Sequence, residues 1–327
     1  MVKRSAIARE LREAGAVNTL LNLWAFISDH ILLTKSGDLA VVLKMEPRDY
    51  ECLDAGELAE VPRRFEAALR SFDPLFRVYQ YTFKRSGASV PQPTHLSDAV
   101  VEQALGDRAR YLDSKAADLY TTDSYIVVIY EGSRYSQVGV DHLQMALRDP
   151  IATLKAFFSV DKTTLLIDEA VTRGMGVLSN KVNSFVVQLR DAVNLEIATK
   201  DEAFHFYRRL LNFNPDKADS VHLHHDCFVD YFVCDSGLEC YRDHLRLDEY
   251  FVKILTLKDP PPKTHPNMLR ALQELPSQYI IATEFVPVDN LAMRSLIKRN
   301  QRHAFNSKTS LLSNLNLQGD TSAPATQ

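Results

Sequence analysis

Apolar and polar positions change period several times along the chain, and the clearest pattern lies near its start, in HILLTKSGDLAVVLKMEPRDYECL over residues 30–53. Ile31, Leu32 and Leu33 open one strand, and Leu39–Leu43 with Met45 make a second. Lys35-Ser36-Gly37-Asp38 supplies the turn between them, with Gly37 able to take a positive φ at little cost. The unbroken run Ala40-Val41-Val42-Leu43 predicts a strand covered on both faces. A helix over Glu57–Phe72 follows, with Leu58, Val61, Phe65, Ala68, Leu69 and Phe72 on one stripe. Phe76–Lys84 then alternates with period two, as a half-buried strand does.

Beyond a Gly/Pro-containing loop at Ser86–Thr94, the pattern predicts a helix from Ser97 to about Leu119 and a strand at Ser124–Glu131. Helical spacing returns over Gly139–Ser159 and Thr163–Asp191, with a break near Val160-Asp161. A short strand at Val193–Thr199 leads to a helix at Asp201–Asn212, whose buried stripe includes Phe204, Leu210 and Leu211. Cys227–Cys234 (CFVDYFVC) reads as a strand, with a turn at Asp235-Ser236-Gly237. The last third repeats the opening plan: a strand at Tyr250–Leu257, a break at Pro260–Pro262, a helix at His265–Leu275 and a strand at Gln278–Val286. A basic helix over Asn290–Phe305 closes the ordered part.

These elements predict an α+β fold, its antiparallel or mixed sheets covered by helices, as two ferredoxin-like (split β-α-β) halves around a helical middle. The expected organisation is an amphipathic helical segment at 1–29, a first β-α-β unit at 30–135 and a mainly helical middle at 136–215. A second strand–helix–strand unit with the basic helix takes 216–317, and 318–327 form a disordered tail. In the first segment, Lys3, Arg4, Arg9 and Arg12 precede an apolar cluster of Leu20, Leu21, Leu23, Trp24, Phe26 and Ile27. Such a segment can lie on a membrane surface or a membrane-protein partner. Its composition alone favours a helix packed on its own domain.

With 327 residues, 46% apolar and 24% charged, the chain is long enough for two domains with ample core. A net charge of −4 argues against a wholesale nucleic-acid binder. Four cysteines (Cys52, Cys227, Cys234, Cys240) make no disulfide framework and suit a reducing compartment. The charged start lacks the apolar region of a secretory signal, and no apolar run approaches the roughly 18–20 residues that span a bilayer.

Three constellations could carry chemistry. Thr164-Leu-Leu-Ile-Asp168-Glu169 looks like a Walker B strand, whose Asp would hold Mg²⁺ and whose Glu would polarise water. That chemistry needs a GxxxxGK[ST] phosphate cradle, which the sequence lacks, and helical periodicity runs on through Val171, Val177, Leu178 and Val182. The first turn of a helix is the better reading. His222, His224, His225, Cys227, Cys234, Cys240 and His244 are dense enough to suggest a metal, but their spacing matches no paired zinc knuckle. Arg294, Lys298, Arg299, Arg302, His303 and Lys308 would suit phosphate contacts, yet Leu291, Met293, Leu296, Ile297 and Phe305 make a solvated amphipathic face the simpler reading. Tyr79, Tyr81, Tyr125 and Tyr130 read as core aromatics, and no GxSxG elbow places a nucleophile.

Three stretches together resemble the N-terminal region of the CagE/TrbE/VirB family of type IV secretion and conjugal transfer ATPases. They are LLTKSGDLAVVLKMEPRDYECLDAGEL (32–58), YFVKILTLKDPPPKTHPNMLRALQELPSQYIIATEF (250–285) and LIKRNQRHAFNSKTSLL (296–312). The family's RecA-like motor is missing, so no ATP-binding residue carries over. The resemblance implies a non-catalytic docking and assembly region, either cut from a longer chain or left by a shortened gene. It implies a place at the cytoplasmic face of the bacterial inner membrane, with inner-membrane components of the secretion apparatus as partners. Oligomerisation would come through the full-length protein, and ATP and Mg²⁺ would be bound only by the motor. Arg9, Arg12 and the Leu20–Ile27 cluster are the docking candidates. The rival readings are an enzyme using Asp168/Glu169 or the His/Cys cluster, and a nucleic-acid-binding module using the basic helix 294–308.

Overall fold

The computed structural model describes residues 17–46, 54–86, 99–132, 160–224, 228–257, 268–288, 293–295 and 297–302. In chain order a 3-10 turn (Val17–Thr19) leads to strands β1 (Leu23–Phe26), β2 (Ile31–Thr34) and β3 (Leu39–Glu46), then helix α1 (Ala55–Leu69) and β4 (Phe76–Ser86). Helix α2 (Ala99–Ser114), a second 3-10 turn (Ala116–Asp118) and β5 (Tyr120–Tyr130) come next. The long helix α3 (Val160–Leu189) is followed by β6 (Asn194–Ile197), α4 (Lys200–Leu211), α5 (Pro215–Asp219) and α6 (Val229–Phe232). A meander of β7 (Leu238–Cys240), β8 (Leu245–Leu247) and β9 (Tyr250–Val252), then α7 (Arg270–Gln273) and β10 (Tyr279–Phe285), complete the order, with 293–295 and 297–302 helical. This is an α+β protein.

Among the described residues, seven strands form one antiparallel sheet in the order β1-β2-β3-β5-β4-β10, with β6 also paired to β3. β2 takes β3 at Leu39–Val41, while β6 takes it at Leu43–Glu46. The period-two rule then assigns each residue of β3 to a face. Leu39, Val41 and Leu43 join Val78, Ile126 and Val128 beneath α1 and α3, which contribute Ala68, Leu178, Val182, Phe185 and Leu189. Ala40 and Val42 join Phe83, Tyr125 and Val127 on the opposite face, against Phe204, Phe206 and Tyr207 of α4 and Val229 and Val233 around α6. The run Ala40–Leu43 is thus covered on both sides, as its composition predicts. Tyr79, Tyr81 and Tyr130 pack against the two cores.

The hairpin forms as its sequence predicts, with Gly37 at φ 90°. Local sequence also fixes the main helix starts. Asp54 accepts from Glu57 N (2.7 Å) and Glu57 returns a bond to Asp54 N (3.1 Å), while Thr199 and Glu202 make the same reciprocal box for α4.

Several elements differ from the sequence reading. Leu23–Phe26, within the segment expected as helical, is a strand because its backbone finds a partner in β2. Of the strand expected at Cys227–Cys234, the described residues 228–234 are not extended: Val229–Phe232 is a helical turn, since Val229 and Val233, four apart, both drop into the core. Tyr250–Leu257 shortens to Tyr250–Val252, and of His265–Leu275 only Arg270–Gln273 is helical among the described residues. The expected helix at Gly139–Ser159, the basic residues His303 and Lys308, and the tail lie outside the described residues.

Candidate docking surface

The exposed part of the Leu20–Ile27 cluster is created by an irregularity in β1. Leu23 pairs with Thr34 and Ala25 with Leu33, so two steps along β1 match one along β2 and Trp24 is the extra residue. A bulge of this kind on an edge strand turns a side chain away from its regular direction. Trp24, 42% exposed, stands edge-on to Phe228 at 5.0 Å between ring centres, and Phe228 is itself 46% exposed. Tyr231 and Phe232 of α6 are also exposed, and Leu20 is 75% exposed. Leu21, Leu23 and Phe26 instead pack against the α4 face of the sheet, and Ile27 against the α1/α3 face. The cluster therefore splits into an inward set that anchors the edge and an outward pair, Leu20 and Trp24. Arg9 and Arg12 lie outside the described residues.

The β2–β3 turn holds this edge in place. Lys35 Nζ donates to the Asn18 carbonyl (2.5 Å) and pairs with Asp230 of α6 (2.7 Å), whose side chain is only 6% exposed. Asn22 accepts from Ser36 N (3.1 Å) and donates to Ser36 Oγ (2.8 Å). One turn thus ties the lead-in to β1, the hairpin and α6 together. Charge Asp230 buried beside a lysine is tolerated because the pair is close.

Beneath the patch, α6 is fixed by a fully buried guanidinium. Arg208, in the last turn of α4, has no exposure and donates through Nε to the Ala218 carbonyl (3.2 Å). Its other nitrogens donate to the carbonyls of Lys217 and Phe232 and to the Asp235 carboxylate. Those carbonyls end α5 and α6, where a helix has acceptors without internal partners and favours a cation. Asn212 completes the support, donating to the Arg208 and Val233 carbonyls and accepting from Asp235 N and Ser236 Oγ. In the adjoining meander, Lys217 and the Gly237 amide hold the Asp248 carboxyl down at about 2.

The other candidate residues do not meet in one site among those described. Asp168 and Glu169 fall inside α3, on a helix rather than at a strand end, and Glu169 is exposed. His222 lies edge-on to His205 at 5.5 Å, while His244 stacks on Tyr241 at 4.6 Å beside Asp243. Cys234, its thiol pushed up by burial, reaches the Ser236 carbonyl at 3.5 Å, and Cys240 is exposed. No group of three His, Cys, Asp or Glu suited to a metal occurs among the described residues, while His225 and Cys227 lie outside them. Arg294, Lys298, Arg299 and Arg302 are exposed on the closing helix. Phe228, Tyr231 and Phe232 were hidden from sequence reasoning because an apolar run reads equally as buried strand or as a helical turn with an outward side. The signal for the turn was the four-residue spacing of Val229 and Val233, with Asp230 between them.

Two family models match the chain. The N-terminal domain of the type IV secretion system ATPase VirB4/TrbE matches residues 30–137, from the hairpin through β5. The CagE, TrbE, VirB family, a component of the type IV transporter system, matches residues 192–323, from β6 through β10 and beyond. The chain belongs to the CagE/TrbE/VirB family. No curated protein matches it. The two matched stretches interlock in space, since β6 of the second pairs with β3 of the first and β10 with β4. Trp24 precedes the first matched stretch, whereas Phe228 lies in the second. No helix among the described residues is long and apolar enough to cross a membrane.

Proposed function

We propose that this part of a type IV secretion ATPase component docks and assembles: it attaches the motor to the inner-membrane complex on the cytoplasmic face, without catalysing hydrolysis itself. The observation that supports the reading is the bulge at Trp24, which presents a tryptophan beside Phe228 on a sheet edge braced from behind by Lys35–Asp230. Tryptophan and tyrosine anchors on rigid supports are the side chains that carry most binding energy at protein interfaces. An apolar segment of an inner-membrane component is the matching partner, with Arg9 and Arg12 adding attraction to an acidic neighbour or to anionic lipid. ATP and Mg²⁺ belong, in this reading, to a motor domain carrying the GxxxxGK[ST] loop that residues 1–327 lack.

The test is co-purification of the chain with detergent-solubilised inner-membrane components of its apparatus. Trp24→Ala is expected to weaken binding by about tenfold or more, as loss of an aromatic hot spot does. Charge reversal at Arg9 and Arg12 is expected to weaken it further and to make it less sensitive to salt. Unchanged retention of Trp24→Ala, in a chain that still folds, refutes the assignment of the surface.

A further inference from the structure

The far edge of the sheet has a property that the docking reading does not use. β10 is paired along all seven residues with β4, from Tyr279↔Lys84 to Phe285↔Val78, and ends the strand order. Its outer side has no strand partner among the described residues. Natural edge strands are protected by proline, lysine, a bulge or a cover. β10, YIIATEF, has no proline, no lysine and no bulge. Its one charge, Glu284, is already engaged by Arg77 Nη1 (2.9 Å) and the Tyr79 hydroxyl (2.7 Å) of the neighbouring strand. Val286 and Val288, just beyond it, are about half exposed.

We propose that β10 pairs antiparallel with β10 of a second copy of this chain, about a two-fold axis through Ala282. The sequence of the strand is complementary to its own reverse in that register. Tyr279 meets Phe285 of the second copy on one face, and Ile281 meets Thr283, which are the aromatic and β-branched cross-strand pairs that favour sheet formation. Both pairs occur twice, as an isologous interface requires. Ala282, exposed and small, meets itself at the axis, where a large side chain would crowd its copy. Ile280 meets Glu284 on the other face, so the two glutamates stand four positions apart and do not confront each other. Past the strand ends, Val286 and Val288 run alongside Gln278 and Pro276 of the second copy, next to the exposed Leu275. The two sheets become one, and a row of open backbone donors and acceptors is satisfied in each.

This inference stands independently of the docking proposal, since β10 lies at the opposite edge from β1. It is tested by sedimentation equilibrium of residues 1–327 at a few tens of micromolar, where wild type is expected to be dimeric. Ala282→Lys and Ala282→Glu each place like charges face to face and are expected to weaken the dimer about tenfold or more, while an equimolar mixture restores it. Only a position that pairs with itself gives this pattern. If neither charged variant folds, Ala282→Cys in a Cys240→Ser background is expected to form a 282–282 disulfide on mild oxidation, because directly opposed strand residues lie about 4.5–5.5 Å apart. A monomeric wild type, charged variants that dimerise like wild type, or a folded Ala282→Cys chain without the 282–282 link each overturns the proposal.

Discussion

Replacing Arg208 with methionine keeps the stem and removes the guanidinium, and the structure says what that should cost. The group has no exposure and serves the carbonyls of Lys217, Ala218 and Phe232 as well as the Asp235 carboxylate. Each buried carbonyl left without a donor costs about 1–3 kcal/mol, partly offset by no longer burying a charge. The contact of the guanidinium with the Phe204 ring, at 5.7 Å, is lost as well. The net expectation is a loss of about 3–5 kcal/mol, a large fraction of the roughly 5–15 kcal/mol that stabilises a typical domain. Asp235 is the control. Its carboxylate is 45% exposed, so Asp235→Asn should cost less than about 1 kcal/mol, as screened pairs do. Urea unfolding followed by circular dichroism measures both, and hydrogen exchange should localise the weakening to residues 215–235. If Asp235→Asn proves as costly as Arg208→Met, an ion pair rather than the capping of two helix ends holds this region. If Arg208→Met lies within about 1 kcal/mol of wild type, the carbonyls are served by something else and the reasoning fails.

Two further outcomes can be measured on the same chain. Lys35→Met leaves Asp230 buried without its cation and should cost about 1–3 kcal/mol, with a red shift in the emission of Trp24, the only tryptophan, as α6 loosens; an unchanged spectrum and stability would separate the turn from the patch. Asp248 has a carboxyl held at about 2 by Lys217 and the Gly237 amide, below the ordinary value near 3.9. Its stabilisation is therefore complete above about pH 4 and is lost as pH falls through about 2, so the stability gap between wild type and Asp248→Asn should close over that window. A gap of constant size would show that the carboxylate charge plays no part.

The early fold was legible because local chemistry and global packing agree there. Gly37 marks its turn, Leu39–Leu43 carries two buried faces in five consecutive apolar residues, and Asp54 with Glu57 announces the start of α1. What stayed hidden depends on partners distant in the chain. Nothing in LLNLWAF states that Trp24 becomes a bulge, since the register is set by Leu33 and Thr34 across the pair. FVDYFVC (228–234) becomes a helical turn because Arg208 and Asn212 donate to its terminal carbonyls, and those donors lie at the end of another helix. The strand at 279–285 was visible from its composition, but its place beside β4 is a tertiary choice that period-two alternation cannot encode. The docking candidates were half legible: the cluster was evident, whereas its division into buried and outward members required the sheet.

The pairing of β4 with β10 also sets a timetable for synthesis. Arg77 and Glu284, which meet across that ladder, are 207 residues apart in the chain. At about 5–20 residues per second, β4 emerges from the ribosome about 10–40 s before the strand that will cover its edge. Through that interval the nascent hairpin, α1 and β4 can collapse on one another, yet the β4 edge stays open to any extended segment nearby. A newly made chain is thus most vulnerable to misassembly at the edge opposite Trp24, and a holdase acting on it would find its binding site in FRVYQYTF (76–83).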